Sequence, residues 1–486
     1  MADLRPLHEW TGAPAALTLW QPSADAHARA RNAPVSQVPP SYEQEQHLRA
    51  FEACQMWQEE MARLLIVVWE EAGKCDQRAM GHVIAAHLRR HDTYHSWFKK
   101  RGADIVRHVL CDPSDIEIAP THVGAVTPIQ WHQHVMATPS PFAWDCFRFG
   151  VLQRANGFTF FASVDHLHAD ASVIAFLMDE IHSAYQAMCD GEAPRPQATA
   201  GRYLDYCAAQ RRRAATTQLA GADVSDWVDF LHRNGGRMPP FPLPLGVLED
   251  RCLTEHTHVD ILNPEDMAAF ELACHGAGAR VIGGLFACAA LTEQRLAATG
   301  RYSVITPTTT RRSSLEFAMS GWCMGVVPID FDVGEGGFAD FAKAGQKVFD
   351  ARLGLAEVPI ELVLELATKV PSIRPVATGG VMLSYIDTNL PPMGAHMAGD
   401  WHRLQGRVYI NQGMSAQVAL WFFKTQRGLA LTAAYPSNET ARATMQRYVE
   451  TFRAKCLAAS GGSALAPSTI GPVSCAKPQK HQPGYP

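Results

Sequence analysis

One stretch, Phe158-Thr-Phe-Phe-Ala-Ser-Val-Asp-His-Leu-His-Ala-Asp-Ala171, constrains this chain more than any other. Phe158 to Val164 reads as an apolar strand. Asp165, His166, His168 and Asp170 then form a polar knot. From Ser172 to about Met188 the apolar positions Val173, Leu177, Ile181, Ala184, Tyr185 and Met188 recur with the 3.6-residue period of a one-sided helix. A strand end running into a helix N-terminus fixes the backbone on both sides of a loop, which suits it to hold reactive side chains.

The residues alone leave three readings of the knot open. His166 can be a general base with Asp170 as its support. His166, His168 and Asp170 can form a metal cradle. Or the polar groups only cap the helix, with Asp170 or Ser172 at its start. A short histidine motif does not decide among these without its context.

Composition narrows the context. At 486 residues the chain exceeds one ordinary core, which predicts more than one domain. It is 47% apolar and 19% charged, as a globular protein is, and a net charge of -5 gives no electrostatic footprint for nucleic acid. Met1 to Trp20 has no basic start followed by an apolar core, and the longest apolar run, Leu64 to Trp69, is too short to span a bilayer. The 12 cysteines are scattered without a Cys-x-x-Cys pair, which predicts reduced thiols and a cytoplasmic protein.

Along the chain, residues 1–37 are rich in Ala and Pro and are expected to run loosely over the surface. A capping box at Ser41 and Gln44 opens a helix, and Asp76 caps another. Strands are predicted from Leu64, from Phe147 and from Phe158, the last two joined by an Asn156-Gly157 turn. Ala214 to Asp223 is small and polar and marks the expected boundary between residues 38–215 and 216–458. In the second part, strands at Tyr302–Thr306, Gly325–Ile329, Val381–Ile386, Val418–Phe423 and Gly428–Tyr435 alternate with helices. Pro328 places its strand at an edge or a bulge. Residues 459–486 are expected to be a disordered tail.

Six segments in order resemble the condensation-domain branch of the CoA-dependent acyltransferase superfamily, and within it the polyketide-associated acyltransferases. The motif of that superfamily, His-His-x-x-x-Asp-Gly, reads Asp165-His166-Leu-His168-Ala-Asp170-Ala171 here. The others are Ser41 with Gln44, Leu88 to His91 with Trp97-Phe98, Tyr203-Leu-Asp-Tyr206, Gly321 to Ile329, and Ser384-Tyr-Ile-Asp387. The likeness spans about residues 38 to 457. Asp165 replaces the first histidine, and Ala171 replaces the glycine.

The resemblance implies an α/β fold of two chloramphenicol-acetyltransferase-like subdomains, each a mixed sheet flanked by helices, set in a V around a central tunnel. It implies an acyltransferase with His166 as general base. Asp170 would face away from the tunnel and pair with Arg311, or with Arg312 as the alternative. Ser384 would line the tunnel, and no metal or cofactor would be needed. The donor would be a thioester of CoA or of an acyl carrier protein, as on a polyketide synthase. The acceptor would be a hydroxyl or amine, in lipid or natural-product synthesis. No transmembrane segment is implied, and contact with a membrane surface is compatible with it. The competing reading is a metal-dependent hydrolase using His166, His168 and Asp170. By their bland readings His168 is a packed histidine, and Trp322 and Trp421 are core residues.

Overall fold

The computed structural model describes residues 4–246, 252–374, 380–390 and 393–461. Most of the expected tail therefore lies outside the described residues. Two seven-stranded mixed sheets organise the chain. The first runs Leu4–Pro6, Arg407–Ile410, Leu64–Ala72, Gly157–Asp165, Phe147–Gln153, Ala15–Pro22, Ile118–Val126. The second runs Met324–Asp332, Arg301–Thr309, Met382–Asp387, Ala419–Thr425, Gly428–Pro436, Cys252–Leu262, Met414–Ser415. Pro328 does sit in an edge strand, where a missing N–H leaves no ladder bond unmade.

The strand Gly157–Asp165 is the middle of the first sheet, paired antiparallel to Leu64–Ala72 on one side and Phe147–Gln153 on the other. Its side chains alternate between two cores. Phe158, Phe160, Ala162 and Val164 pack on one face, and Phe161 on the other. Both faces are covered, which explains an apolar run with little polar alternation. The rigid strand ends at Asp165, on the face of Phe161 and Ser163.

Two expectations are corrected. Residues 1–37 are not a loose segment: Ala15–Pro22 pairs on both edges within the sheet, and Leu17, Leu19 and Trp20 are buried. The boundary near residue 215 is not clean either. Arg407–Ile410, from the second half, inserts into the first sheet between Leu4–Pro6 and Leu64–Ala72. The helix after the motif also departs from a uniform 3.6-residue period. It runs Val173 to Cys189, but Leu177–His182 is π-helical. That extra residue turns Glu180 inward to His87, His91 and Arg90, and His182 inward to Glu71.

The helices begin where side chains can satisfy free amides. Ser41 and Gln44 form a reciprocal capping box on Tyr42–Met56, and Asp76 accepts from the Arg78 and Ala79 amides at the start of Gln77–Arg90. Gln44 does more than cap. Its amide donates to the Leu167 carbonyl at 2.9 Å, so the first turn of that helix also fastens the motif loop. Among the described residues no single helix is long and apolar enough to cross a membrane.

Candidate active site

Beyond Asp165 the chain makes a single 3₁₀ turn, His166–His168, before the helix. Asp165 is fully buried and accepts from Arg63 Nη1 at 2.7 Å, His47 Nε2 at 2.8 Å and the Leu167 amide at 3.1 Å. Burial pushes its carboxyl up, but His47 and Arg63 outweigh that and hold it below the usual carboxylate range. Arg63 is itself fixed by the Thr138 and Pro139 carbonyls. The residue that replaces the first motif histidine is thus an ionised brace at the root of the loop.

His166 is the opposite case. Its Nδ1 is occluded and has no hydrogen-bond partner among the described residues, while the ring as a whole keeps partial exposure. Nε2 is therefore the nitrogen that opens to the site. The ring lies 3.9 Å from that of Trp322 and 6.2 Å from that of His47, centroid to centroid. Burial, and then His47, lower its pKa to about 4, against its own carbonyl, Asp170 and Asp165, which raise it. At neutral pH it is an uncharged imidazole with a free lone pair.

Asp170 is 5% exposed and saturated. Oδ2 accepts from Arg311 Nη1 at 2.6 Å and from the Cys323 amide at 3.0 Å. Oδ1 accepts from the Ser172 amide at 3.0 Å and from its hydroxyl. Burial again pushes the carboxyl up, and Arg311 more than reverses this. Arg311 is equally committed, with further bonds to the Glu316, Met319 and Gly321 carbonyls. Arg312 instead pairs with Glu357. Ala171 needs no glycine, since it does not take a positive φ.

A cavity of about 600 Å³ opens beside this end of the loop. Asp170, Ala171, Arg311 and Ser384 line it, together with Thr306 to Thr309 and Tyr385. Asp170 is thus a lining residue whose two carboxylate oxygens are turned to Arg311, Cys323 and Ser172. His166 is not among the lining residues; its neighbours are Trp322 and His47. Gly321 has φ +153, and a Cβ there would run into the Tyr203 ring, so the backbone that aims Trp322 requires glycine. Trp322 is partly buried and packs against the cluster of Tyr203, Cys207, Met319 and Cys323, in keeping with its core reading, while its ring also faces His166. Trp421 packs partly buried against the first core.

The metal reading fails on geometry. His168 is buried with Nδ1 on Thr93 at 3.0 Å and Nε2 on Cys146 Sγ at 3.1 Å. With Asp170 turned to Arg311, the three donors do not converge. The donors of His87, His91 and Glu180 do lie close together. Arg90 fills that cluster, however, donating to Glu180 at 2.8 Å, and His91 Nδ1 accepts from the Ser320 amide. It is an ion-pair knot tying the π segment to the second half of the chain. Sequence reasoning did not find His47, Arg63 or Trp322. A weak signal existed for His47, which shares the buried helix face of Gln44 and Leu48.

These two sheets, with a motif loop between them bound by both halves, define a class. Residues 50–369 match the condensation domain family, and the chain belongs to that family as an acyltransferase. It is 39% identical over 476 residues to the trehalose-2-sulfate acyltransferase PapA2 of Mycobacterium tuberculosis, covering 96% of this chain and all of that one. It is 37% identical over 464 residues to the 2'-acyl-2-O-sulfo-trehalose (hydroxy)phthioceranyltransferase PapA1 of Mycobacterium bovis, covering 95% of this chain and 90% of the relative. A solved structure of PapA2 acyl transferase superposes with a TM-score of 0.91 at 38% identity, over 95% of this chain and 100% of that chain.

Proposed function

We propose that the protein transfers an acyl group from a thioester to a sugar hydroxyl, with His166 as general base. The observation that carries this is the state of His166: a neutral ring with Nδ1 occluded and Nε2 open. Nε2 takes the proton of the acceptor hydroxyl as its oxygen attacks the thioester carbonyl. The tetrahedral intermediate then collapses, the C–S bond breaks, and the proton passes to the leaving thiolate. General-base assistance of this kind contributes about 10²–10⁴-fold. The thioester is already activated, so no cofactor enters this scheme.

Asp170 and Arg311 serve as the brace of the loop, and Ser384 as a wall of the cavity that receives the donor's acyl chain. The cavity lining is mainly apolar, which suits a lipid chain. The donor's carrier is CoA or an acyl carrier protein. The sugar acceptor follows the relatives, whose names specify trehalose derivatives. The division near residue 215 has a functional sense in this reading. The first half brings His166, and the second brings Arg311 and Trp322, so neither half holds a complete site.

The test is incubation with palmitoyl-CoA and either trehalose or trehalose 2-sulfate, read by mass spectrometry. An ester of one acyl group on the sugar, lost in His166→Ala and retained in chelator, is expected. Activity that disappears in chelator and returns with zinc would overturn the scheme.

A further inference from the structure

The loop carries a second imidazole that the reaction as written does not use. His47 sits on the helix Tyr42–Met56 and is 5% exposed. Its Nε2 stands 2.8 Å from Asp165 Oδ1. An ionised carboxylate only accepts, so Nε2 carries the hydrogen in this bond, and Nδ1 is the ring nitrogen left for another partner. Among the described residues Nδ1 has no hydrogen-bond partner, yet it is not among the occluded polar atoms. Among the described residues this nitrogen is therefore open, and it can hydrogen-bond a hydroxyl as acceptor in the neutral ring or as donor in the charged one.

The setting is specific. The His47 ring is 6.2 Å from the ring of His166 and 5.6 Å from that of Trp322, to which it stands edge-on at 80°. Trp322 in turn lies 3.9 Å from His166. Three rings thus cluster at the end of the motif loop, next to one another. Two contribute an open ring nitrogen, and the third contributes a partly buried indole. Two hydroxyls of one sugar ring can span two such nitrogens at ordinary hydrogen-bond lengths of about 2.8 Å. The indole offers a flat apolar wall for the sugar's C–H face. A simple alcohol would use only one of the two nitrogens.

We infer that His47, oriented by Asp165, is a positioning residue that binds a second hydroxyl of the acceptor beside the one His166 deprotonates, and so selects polyol acceptors over mono-alcohols. The inference rests on the acyl-transfer reading above and deepens it. It also gives the Asp165 substitution a purpose: a carboxylate there holds His47 by Nε2 and so orients its Nδ1. His47 touches the acceptor but takes no proton from the reacting oxygen, so its loss falls on binding.

The experiment compares wild type, His47→Ala and His47→Gln with palmitoyl-CoA as donor and trehalose or 1-hexanol as acceptor. For His47→Ala, KM for trehalose should rise at least tenfold with kcat within about threefold, because uniform binding is what is lost. The loss with 1-hexanol should be smaller than the loss with trehalose, and His47→Gln, whose side-chain amide can hydrogen-bond a hydroxyl, should recover part of the trehalose loss. In parallel, trehalose alone is titrated into the full chain while the His47 and His166 ring protons are followed by NMR. Shifts of both, with the His166 shift weakened in His47→Ala, support the inference even if trehalose is never acylated, in which case the transfer reading fails separately. Trehalose acylated equally well by His47→Ala would overturn the inference and leave the transfer reading standing. No ring-proton shift and no acylation would overturn both.

Discussion

His166 and Asp170 stand four residues apart on one loop. At the Asp170 end, both carboxylate oxygens are filled by Arg311, the Cys323 amide and Ser172. At the His166 end, one ring nitrogen has no partner among the described residues and the other is open. A buried polar group left unpaired costs about 1–3 kcal/mol, so a ring with one such nitrogen and the other open is not held in place as a support. A saturated ion pair reports support. The contrast assigns chemistry to one residue and architecture to the other, although a sequence motif joins them.

Substitution can break this contrast. The largest effect should come from His166→Ala, with turnover reduced by about 10²–10⁴-fold and a melting temperature close to that of wild type. Parallel assays of rate and thermal unfolding check both halves of that statement. Arg311→Ala should do the reverse first, destabilising the fold by about 3–5 kcal/mol because it strands Asp170 in a dry site. Asp170→Ala should cost a similar amount, and the double variant less than the sum of the two, as denaturant melts of the four-protein cycle would show. If Arg311→Ala melts like wild type, the brace is not one.

Asp165→Asn sharpens the comparison at the loop's other root. Arg63 keeps its bonds to Thr138 and Pro139, so the loss should be smaller, about 1–3 kcal/mol by chemical denaturation. A separate effect, spread over several pH units, is expected away from the loop, where Glu361 lies in the field of Glu43. Burial, and then Glu43, push the Glu361 carboxyl up to about 7 from 4.5. The folded state therefore holds this proton more tightly than the unfolded chain. The stability it contributes is complete below pH 4.5 and lost as pH rises through about 7. Glu361→Gln should flatten that decline, seen as a narrower gap between melting temperatures at pH 5 and pH 8.

Periodicity made much of the fold legible. Phe158–Val164, Tyr302–Thr306 and Gly428–Tyr435 are apolar enough, and the Ser41 and Asp76 caps explicit enough, to be read without partners. Ala15–Pro22 was hidden because its Ala and Pro content imitates a loose segment, and its role depends on strands 100 residues away. Cys252–Leu262 is rich in Thr and His because much of it is half-exposed, so it carries no apolar run. The π segment inserts one residue into a helix, a change too small for a periodic pattern to register. At the site, His166 and Asp170 were visible through the motif. Arg311 came through the resemblance, since no local spacing links it to Asp170. His47 and Trp322 become neighbours of His166 only when a helix of the first half and a loop of the second close around it.

The pH dependence of kcat/KM tests the central claim most directly, because it reports the ionisation of the free enzyme's essential base. Burial and His47 hold His166 at about 4, and the base works only when unprotonated. The rate should therefore stay level from pH 7 down to about 5 and fall through one proton near pH 4, with circular dichroism confirming a folded protein at each point. A level profile that breaks near 6.5, the value of an unperturbed imidazole, would contradict a buried, neutral His166 as the base.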